Sequence, residues 1–150
     1  MRMSDTHATL EAGLAALAAA LEQPLPADYL ALQRAPGPVP GPFGAHEWLR
    51  PAAALAQWQQ NQELHGSGTL RALPVAADAG VRAQAWHPGW LPLTHDGAGT
   101  LAALDLAPAE GGQAGQVILV DAEGGRRRRL GRDLADWLAR PGAGLADDAG

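Results

Sequence analysis

Apolar residues recur along this chain with two different periods. Leu10, Leu14, Leu17 and Leu21 fall on one stripe of a 3.6-residue repeat. They predict an amphipathic helix after a frayed start at residues 1–6, with Thr6 and Thr9 as candidate caps. The helix should stop at Gln23-Pro24, because the residue before a proline avoids the helical region. Pro26 suits the first turn of a second, short helix from Ala27 to about Gln33, with Tyr29, Leu30 and Leu32 on its buried side. Residues 35–44, APGPVPGPFG, then form a Pro/Gly connector. It reads as a stiff loop in preference to a polyproline ligand, since it offers few side chains to recognise. His46–Leu49 is either a short strand or a lead into a third helix, about Pro51–Leu64. There Leu55 and Trp58 point inward, Gln57, Gln59, Gln60, Asn61 and Gln62 are read as solvated, and His65-Gly66 ends the helix.

The second half changes period. Residues 66–80 carry little pattern, and Leu70–Val75 reads as a strand or a packed loop. Val81, Ala83 and Ala85 alternate with Arg82, Gln84 and Trp86, which predicts a half-buried strand. Trp90–Leu93, bounded by Gly89 and Pro92, is an edge strand at best. Asp96-Gly97-Ala98-Gly99 is a turn. Thr100–Leu106 follows as a strand and residues 108–115 as a loop. Gln116–Asp121 contains a continuous apolar run and predicts a strand covered on both faces. Glu123-Gly124-Gly125 turns it into a hairpin partner, Arg126–Leu130. A last helix spans Arg132–Ala139 with Leu134, Trp137 and Leu138 inward, and residues 141–150 are expected to be a disordered tail. Helices first, then an antiparallel meander, then a closing helix make an α+β single domain over residues 1–140.

Composition narrows the chemistry. The 150 residues include no cysteine, which excludes disulfides, thiolate metal sites and cysteine nucleophiles. Much of the 47% apolar content is alanine, so the core must lean on leucine and on five tryptophans. All eleven basic residues are arginine against sixteen acidic ones, a net charge of −5. Four of those arginines sit in one run, Arg126–Arg129, leaving the remaining surface acidic. That balance argues against nucleic acid and for a basic protein partner. No run approaches the roughly 20 apolar residues of a membrane span. The N-terminus does not read as a signal peptide, and Leu10–Leu21 lacks the basic residues of a membrane-surface helix. The expectation is a cytoplasmic protein with no membrane partner.

Few residues invite a catalytic reading. His87, His95, Asp96 and Asp105 form the closest set for metal or acid–base chemistry. Their spacing matches no ligand geometry, His95 and Asp96 point to opposite faces of an extended chain, and the two aspartates suit local backbone bonding. Gly111-Gly112-x-x-Gly115 precedes a strand and does not open a helix, so it reads as a hairpin loop and not a phosphate cradle. No Ser or Thr sits in a nucleophile elbow. Arg126–Arg129 sends two side chains to each face; flanking Asp121, Glu123, Asp133 and Asp136 favour a solvated, charge-paired strand over a phosphate site. Trp58 and Trp137 belong to the core, Trp86 and Trp90 to its lid, and Trp48 is unassigned. No catalytic residue, metal or cofactor is expected.

The segment from Trp86 to Ile118 also resembles a known signature. Trp86-x-x-x-Trp90-Leu91-Pro92-Leu93, then Asp96-x-x-Gly99, Leu104-Asp105-x-x-Pro108 and Gly112-x-x-Gly115-Gln116-Val117-Ile118 are similar to the pattern of the SUKH superfamily. This superfamily includes fungal cell-wall-assembly regulators and many bacterial proteins. Leu25-Pro26-Ala27-Asp28-Tyr29, Gly41-Pro42-Phe43-Gly44 with Trp48-Leu49, and Leu134-Ala135-Asp136-Trp137-Leu138 extend the resemblance over about residues 10–139. Two places depart from it: Arg34-Ala35-Pro36-Gly37 replaces an Asn-Gly or Asp-Gly turn, and Thr100 follows the second turn glycine. The resemblance implies an antiparallel sheet flanked by helices, no enzymatic activity, and a bacterial immunity protein that binds and neutralises a cognate toxin. The alternative is a regulatory interaction module linked to cell-wall assembly or secretion. The expected partner face comprises the acidic positions Asp78, Glu110, Asp121 and Glu123.

Overall fold

Two sequence periods become two layers and a cover. The structure, a computed structural model, describes residues 2–37, 46–66, 76–84, 86–121 and 126–139. The helices are α1 (Arg2–Leu21), α2 (Ala27–Arg34), α3 (Pro51–Gly66) and α4 (Leu134–Leu138). The strands are β1 (Glu47–Trp48), β2 (Ala76–Ala77), β3 (Trp90–His95), β4 (Leu101–Asp105), β5 (Gln116–Val120) and β6 (Arg126–Gly131). They form one six-stranded sheet in the order β1-β3-β4-β5-β6-β2. All neighbours are antiparallel except β2, which runs parallel to β6. The α+β architecture expected from the sequence is therefore present, with one parallel pair at its rim. Residues 141–150, the Phe43 region and Leu70–Val75 lie outside the described residues.

Strand alternation divides the sheet's side chains between two cores. Leu91, Leu93, Ala102, Leu104, Val117, Leu119 and Leu130 face the helices and meet Leu14, Leu17, Leu21, Tyr29, Ala54, Leu134 and Trp137. The helix stripe Leu14, Leu17 and Leu21 is buried as its period requires. The first helix begins at Arg2, however, so Thr6 and Thr9 lie inside it and the frayed start is not observed. It ends in a Schellman motif: Glu22 takes φ +61, Glu22 N donates to Ala19 O, and Gln23 N donates to Ala18 O. Pro24 follows this stop and does not cause it. The closing helix is shorter than Arg132–Ala139. Asp133 accepts from Asp136 N, while Asp136 accepts from Arg132 N, a reciprocal cap.

Gln33 ties these helices to the sheet edge. Its Nε2 donates to Tyr29 Oη at 3.0 Å and to Leu49 O at 2.9 Å, and its Oε1 accepts from Arg50 at 3.0 Å and from the Trp48 indole at 3.3 Å. Burial pushes the Tyr29 hydroxyl up to about 12, so it stays a neutral partner in this cluster. Leu49 N in turn donates to Leu93 O, which carries the edge strand onto β3.

The opposite face holds Trp86, Trp90, Leu101, Ala103, Ile118, Val120 and Val81. Trp86 and Trp90 are fully buried and meet edge to face, with centroids 5.7 Å apart and planes at 88°. Such pairs add about 0.5–1.5 kcal/mol beyond area burial. What closes this face is not the strand predicted over Val81–Trp86. Residues 78–84 and 86–89 run over it as irregular chain, a strap whose carbonyls are met mostly from outside the segment. Ala109 N and Gln116 Nε2 donate to Gly80 O, Arg127 Nε to Gln84 O, Trp58 Nε1 to Pro88 O and Leu106 N to Gly89 O. The Trp86 indole itself donates to Gln62 Oε1 at 2.6 Å. Alternation in Val81–Trp86 was too weak a signal, because these scattered side-chain and backbone donors replace the ladder a strand would need.

Three further expectations change. Arg127 is buried, with Nε on Gln84 O and Nη1 on Asp121 O, so the arginine run is not wholly solvated. Burial pushes its pKa down and the Asp121 charge opposes this. Asn61 is buried and Gln62 anchors Trp86, so the polar face of α3 is partly structural. β3 is an interior strand between β1 and β4. Its Pro92 is tolerated beside a bulge, where the register slips between Pro92 and Thr94, and β1 reaches only as far as Thr94.

The strap also depends on two glycines. Gly80 (φ +84) lies against Gly112: a Cβ on Gly112 would collide with Gly80 O and come within 2.9 Å of Pro108 Cβ. Gly112→Ala is expected to destabilise the fold by about 1–3 kcal/mol, the usual cost of forcing atoms into a closed contact. An unchanged urea midpoint in that variant would show that the strap does not need this approach.

Candidate functional site

The signature residues come together as one row across the sheet. Trp90 pairs in register with Asp105 on β4, and Asp105 with Gln116 on β5. The three separated pieces of the signature thus meet side by side beneath the strap. Asp105 is fully buried: Oδ1 accepts from Ala107 N at 3.0 Å and Oδ2 from Gln116 Nε2 at 2.8 Å. The same Gln116 amide bonds Gly80 O at 3.0 Å. Among the described residues, Trp90 Nε1 is buried without a partner at hydrogen-bonding distance, yet it lies near enough to favour the Asp105 charge.

Desolvation raises the Asp105 pKa, and Gln116, Ala107 N, His87 and Trp90 oppose the rise. His87 takes Gly89 N onto its Nδ1 at 2.9 Å, which orders the turn between the two tryptophans. The sequence did not single out Gln116 as a functional group. Its place at the head of β5, opposite Asp105, was the available signal.

His95 and Asp96 lie elsewhere, at the β3–β4 turn. His95 Nδ1 accepts from Gly97 N at 3.0 Å, and Asp96 Oδ1 accepts from Ala98 N at 2.7 Å and Thr100 N at 3.1 Å. Asp96 and Asp105 both bond local backbone, as their turn and strand-end positions indicated. Among the described residues, no group of three or more His, Asp or Glu converges as a metal set. Beside this turn lies an open groove of about 340 Å³. Leu49, Ala53 and Ala56 form its apolar lining, with Glu47, Gln57, Gln60, His95 and Asp96 as polar groups. His46, next to Glu47 in the chain, has Nδ1 2.9 Å from the buried Thr94 hydroxyl. Burial holds the His46 pKa down; Asp96 pulls it up and His95 down.

The structure describes three of the four acidic positions expected to bind a partner. Asp78 is half-buried at the β2 end, where Oδ2 accepts from Arg129 N at 2.9 Å. Glu110 is exposed in the loop leading to the Gln116 end of β5, and Asp121 follows the opposite end of that strand. Glu123 lies outside the described residues. Among the described residues, no helix is long and apolar enough to cross a membrane.

The buried carboxyl gives a pH signature. Because folding raises the Asp105 pKa, its contribution to stability is fully present below the ordinary carboxylate pKa and is lost as pH rises through the raised value. Asp105→Asn should cost about 1–3 kcal/mol, since one amide cannot accept from both Ala107 N and Gln116. The stability gap between the native chain and this variant should be widest at low pH and narrow across that window. A gap independent of pH would contradict the assignment.

Comparison with known proteins matches this architecture to a family. The model of the SMI1 / KNR4 family (SUKH-1) matches residues 9–140. A KNR4/SMI1 homolog of Yarrowia lipolytica is 45% identical over 62 residues, 41% of this chain and 8% of that protein. A cell wall biosynthesis/cell cycle regulator of Schizosaccharomyces pombe is 47% identical over 53 residues, 35% of this chain and 10% of that protein. A glucan synthesis regulatory protein of Neurospora crassa is 40% identical over 53 residues, again 35% of this chain and 10% of that protein. The matches thus span a tenth or less of these relatives. With the family model covering nearly the whole chain, including the row that joins Trp90, Asp105 and Gln116, the chain belongs to the SMI1 / KNR4 family (SUKH-1).

Proposed function

We propose that this chain is a non-catalytic protein-interaction module that works in regulation by binding a protein partner. One observation carries the reading: the polar groups of the signature are committed to the scaffold. Asp105 and Gln116 bond each other and the strap, His87 orders the turn before Trp90, and Asp96 orders the turn after β3. Asp105 and Gln116, held this way, have no remaining reach toward a substrate, while His87 and Asp96 spend Nδ1 and Oδ1 on ordering backbone. The names of the fungal relatives, regulators of cell wall biosynthesis and of glucan synthesis, support a regulatory role over the toxin-neutralising one. A cytoplasmic setting suits this role.

Toxin neutralisation is retained as a second reading on the strength of the −5 net charge, which suits a basic partner and speeds encounter with it. The two readings share binding and differ in what is bound. The test is reciprocal tagged purification from the native host, followed by reconstitution of the purified pair on size exclusion. A stoichiometric complex with a component of wall or polysaccharide synthesis is the expected result. A complex with a toxic effector, together with restored growth on coexpression, would replace regulation by neutralisation. Failure of every reciprocally confirmed candidate to form a complex would overturn the interaction reading itself.

A further inference from the structure

We propose that the groove between α3 and the β1 edge receives an arginine side chain presented by the protein partner. The inference rests on the interaction reading above and gives that interaction a place and a chemistry. The groove is built by register: Glu47 on β1 lies opposite His95 on β3, and Asp96 follows at once in the turn. Its apolar part, Leu49, Ala53 and Ala56, offers a surface for an aliphatic stem. Its volume of about 340 Å³ is near the lower end of the roughly 300–1,000 Å³ range of ligand pockets. That room suits a side chain better than a folded element.

The polar groups select the head. Glu47 is exposed and carries a carboxylate. Asp96 is held by its turn through Oδ1 alone, and Oδ2 has no hydrogen-bond partner among the described residues. Gln57 spends one Nε2 hydrogen on Asn61 Oδ1 and keeps its Oε1 as an acceptor beside the groove. Two carboxylates and an amide able to accept ask for a donor-rich cation, and no arginine is among the described residues that line the groove. A guanidinium has five donors in a planar fork and weaker hydration than an ammonium, which fits several acceptors above an apolar floor. The chain's net charge of −5 acts in the same direction at longer range.

The test uses the full chain, labelled with nitrogen-15 and titrated with acetyl-Gly-Arg-Gly-amide. The controls are the peptide with citrulline, the neutral isostere of arginine, and the peptide with lysine. The expected result is saturable shifts at the amides of Ala53, Ala56, Gln57 and Gly97, none with citrulline, and weaker binding with lysine. Glu47→Gln should weaken the arginine peptide about two- to fivefold, the effect of one partly exposed charge pair, with an unchanged melting temperature. Absence of saturable shifts, or equal shifts with citrulline, would overturn the proposal. Equal affinity for lysine would overturn the guanidinium assignment. A reconstituted partner complex that is indifferent to E47Q would remove the groove and leave the interaction reading standing. Saturable arginine binding without any partner complex would do the reverse.

Discussion

The second face of the sheet must be covered by chain that forms no ladder of its own. Burying Trp86 or Trp90 is worth roughly 4–6 kcal/mol from the area of an indole. Each strap carbonyl left bare beneath water-excluded surface would cost about 1–3 kcal/mol. Two or three bare carbonyls would therefore cancel one tryptophan. The cover holds because Gln116, Arg127, Trp58 and the amides of Leu106 and Ala109 meet those carbonyls from neighbouring elements. Asp105 fixes the amide of Gln116 in the orientation that serves Gly80, at the cost of a buried carboxyl whose pKa is raised.

This constraint explains why the signature looks like chemistry and behaves as scaffold. Trp90, Asp105 and Gln116 are far apart in sequence and adjacent in register. His87 and Gly89 set the turn that delivers Trp90, and Gly80 and Gly112 allow the strap to touch the loop before β5. On the proposed interaction reading, partner recognition falls to surfaces outside the row, such as the groove beside α3. Positions there can vary without disturbing the Asp105 contacts, which is a physical basis for one fold serving different partners.

Strong periodicity was legible in the sequence, and contact geometry was not. Leu14, Leu17 and Leu21 announced their stripe, and Val117–Val120 announced a strand covered on both sides. The strap misled because Val81, Ala83 and Ala85 imitate alternation while Arg127 and Gln116, more than thirty residues later, satisfy its backbone. The arginine run and the glutamine-rich face of α3 read as solvent-facing by composition. Arg127 is buried on the distant Gln84 carbonyl, and Asn61 is buried with its Oδ1 on Gln57 of its own helix. The end of α1 was placed correctly for an incomplete reason: Pro24 forbids continuation, but Glu22 in a left-handed conformation makes the stop. The acidic residues were visible as charges, whereas the bond from Arg129 N to Asp78 Oδ2 needed the fold.

Hydrogen exchange on the native chain tests the strap most directly. The Trp86 indole proton and the amides of Leu106 and Ala109 are bonded to Gln62, Gly89 and Gly80 respectively. They should exchange as slowly as the amides of β4 and β5, by opening of the whole domain. Exchange of these three at near-unprotected rates, with the strands still protected, would show that the second face is not closed and would contradict the account.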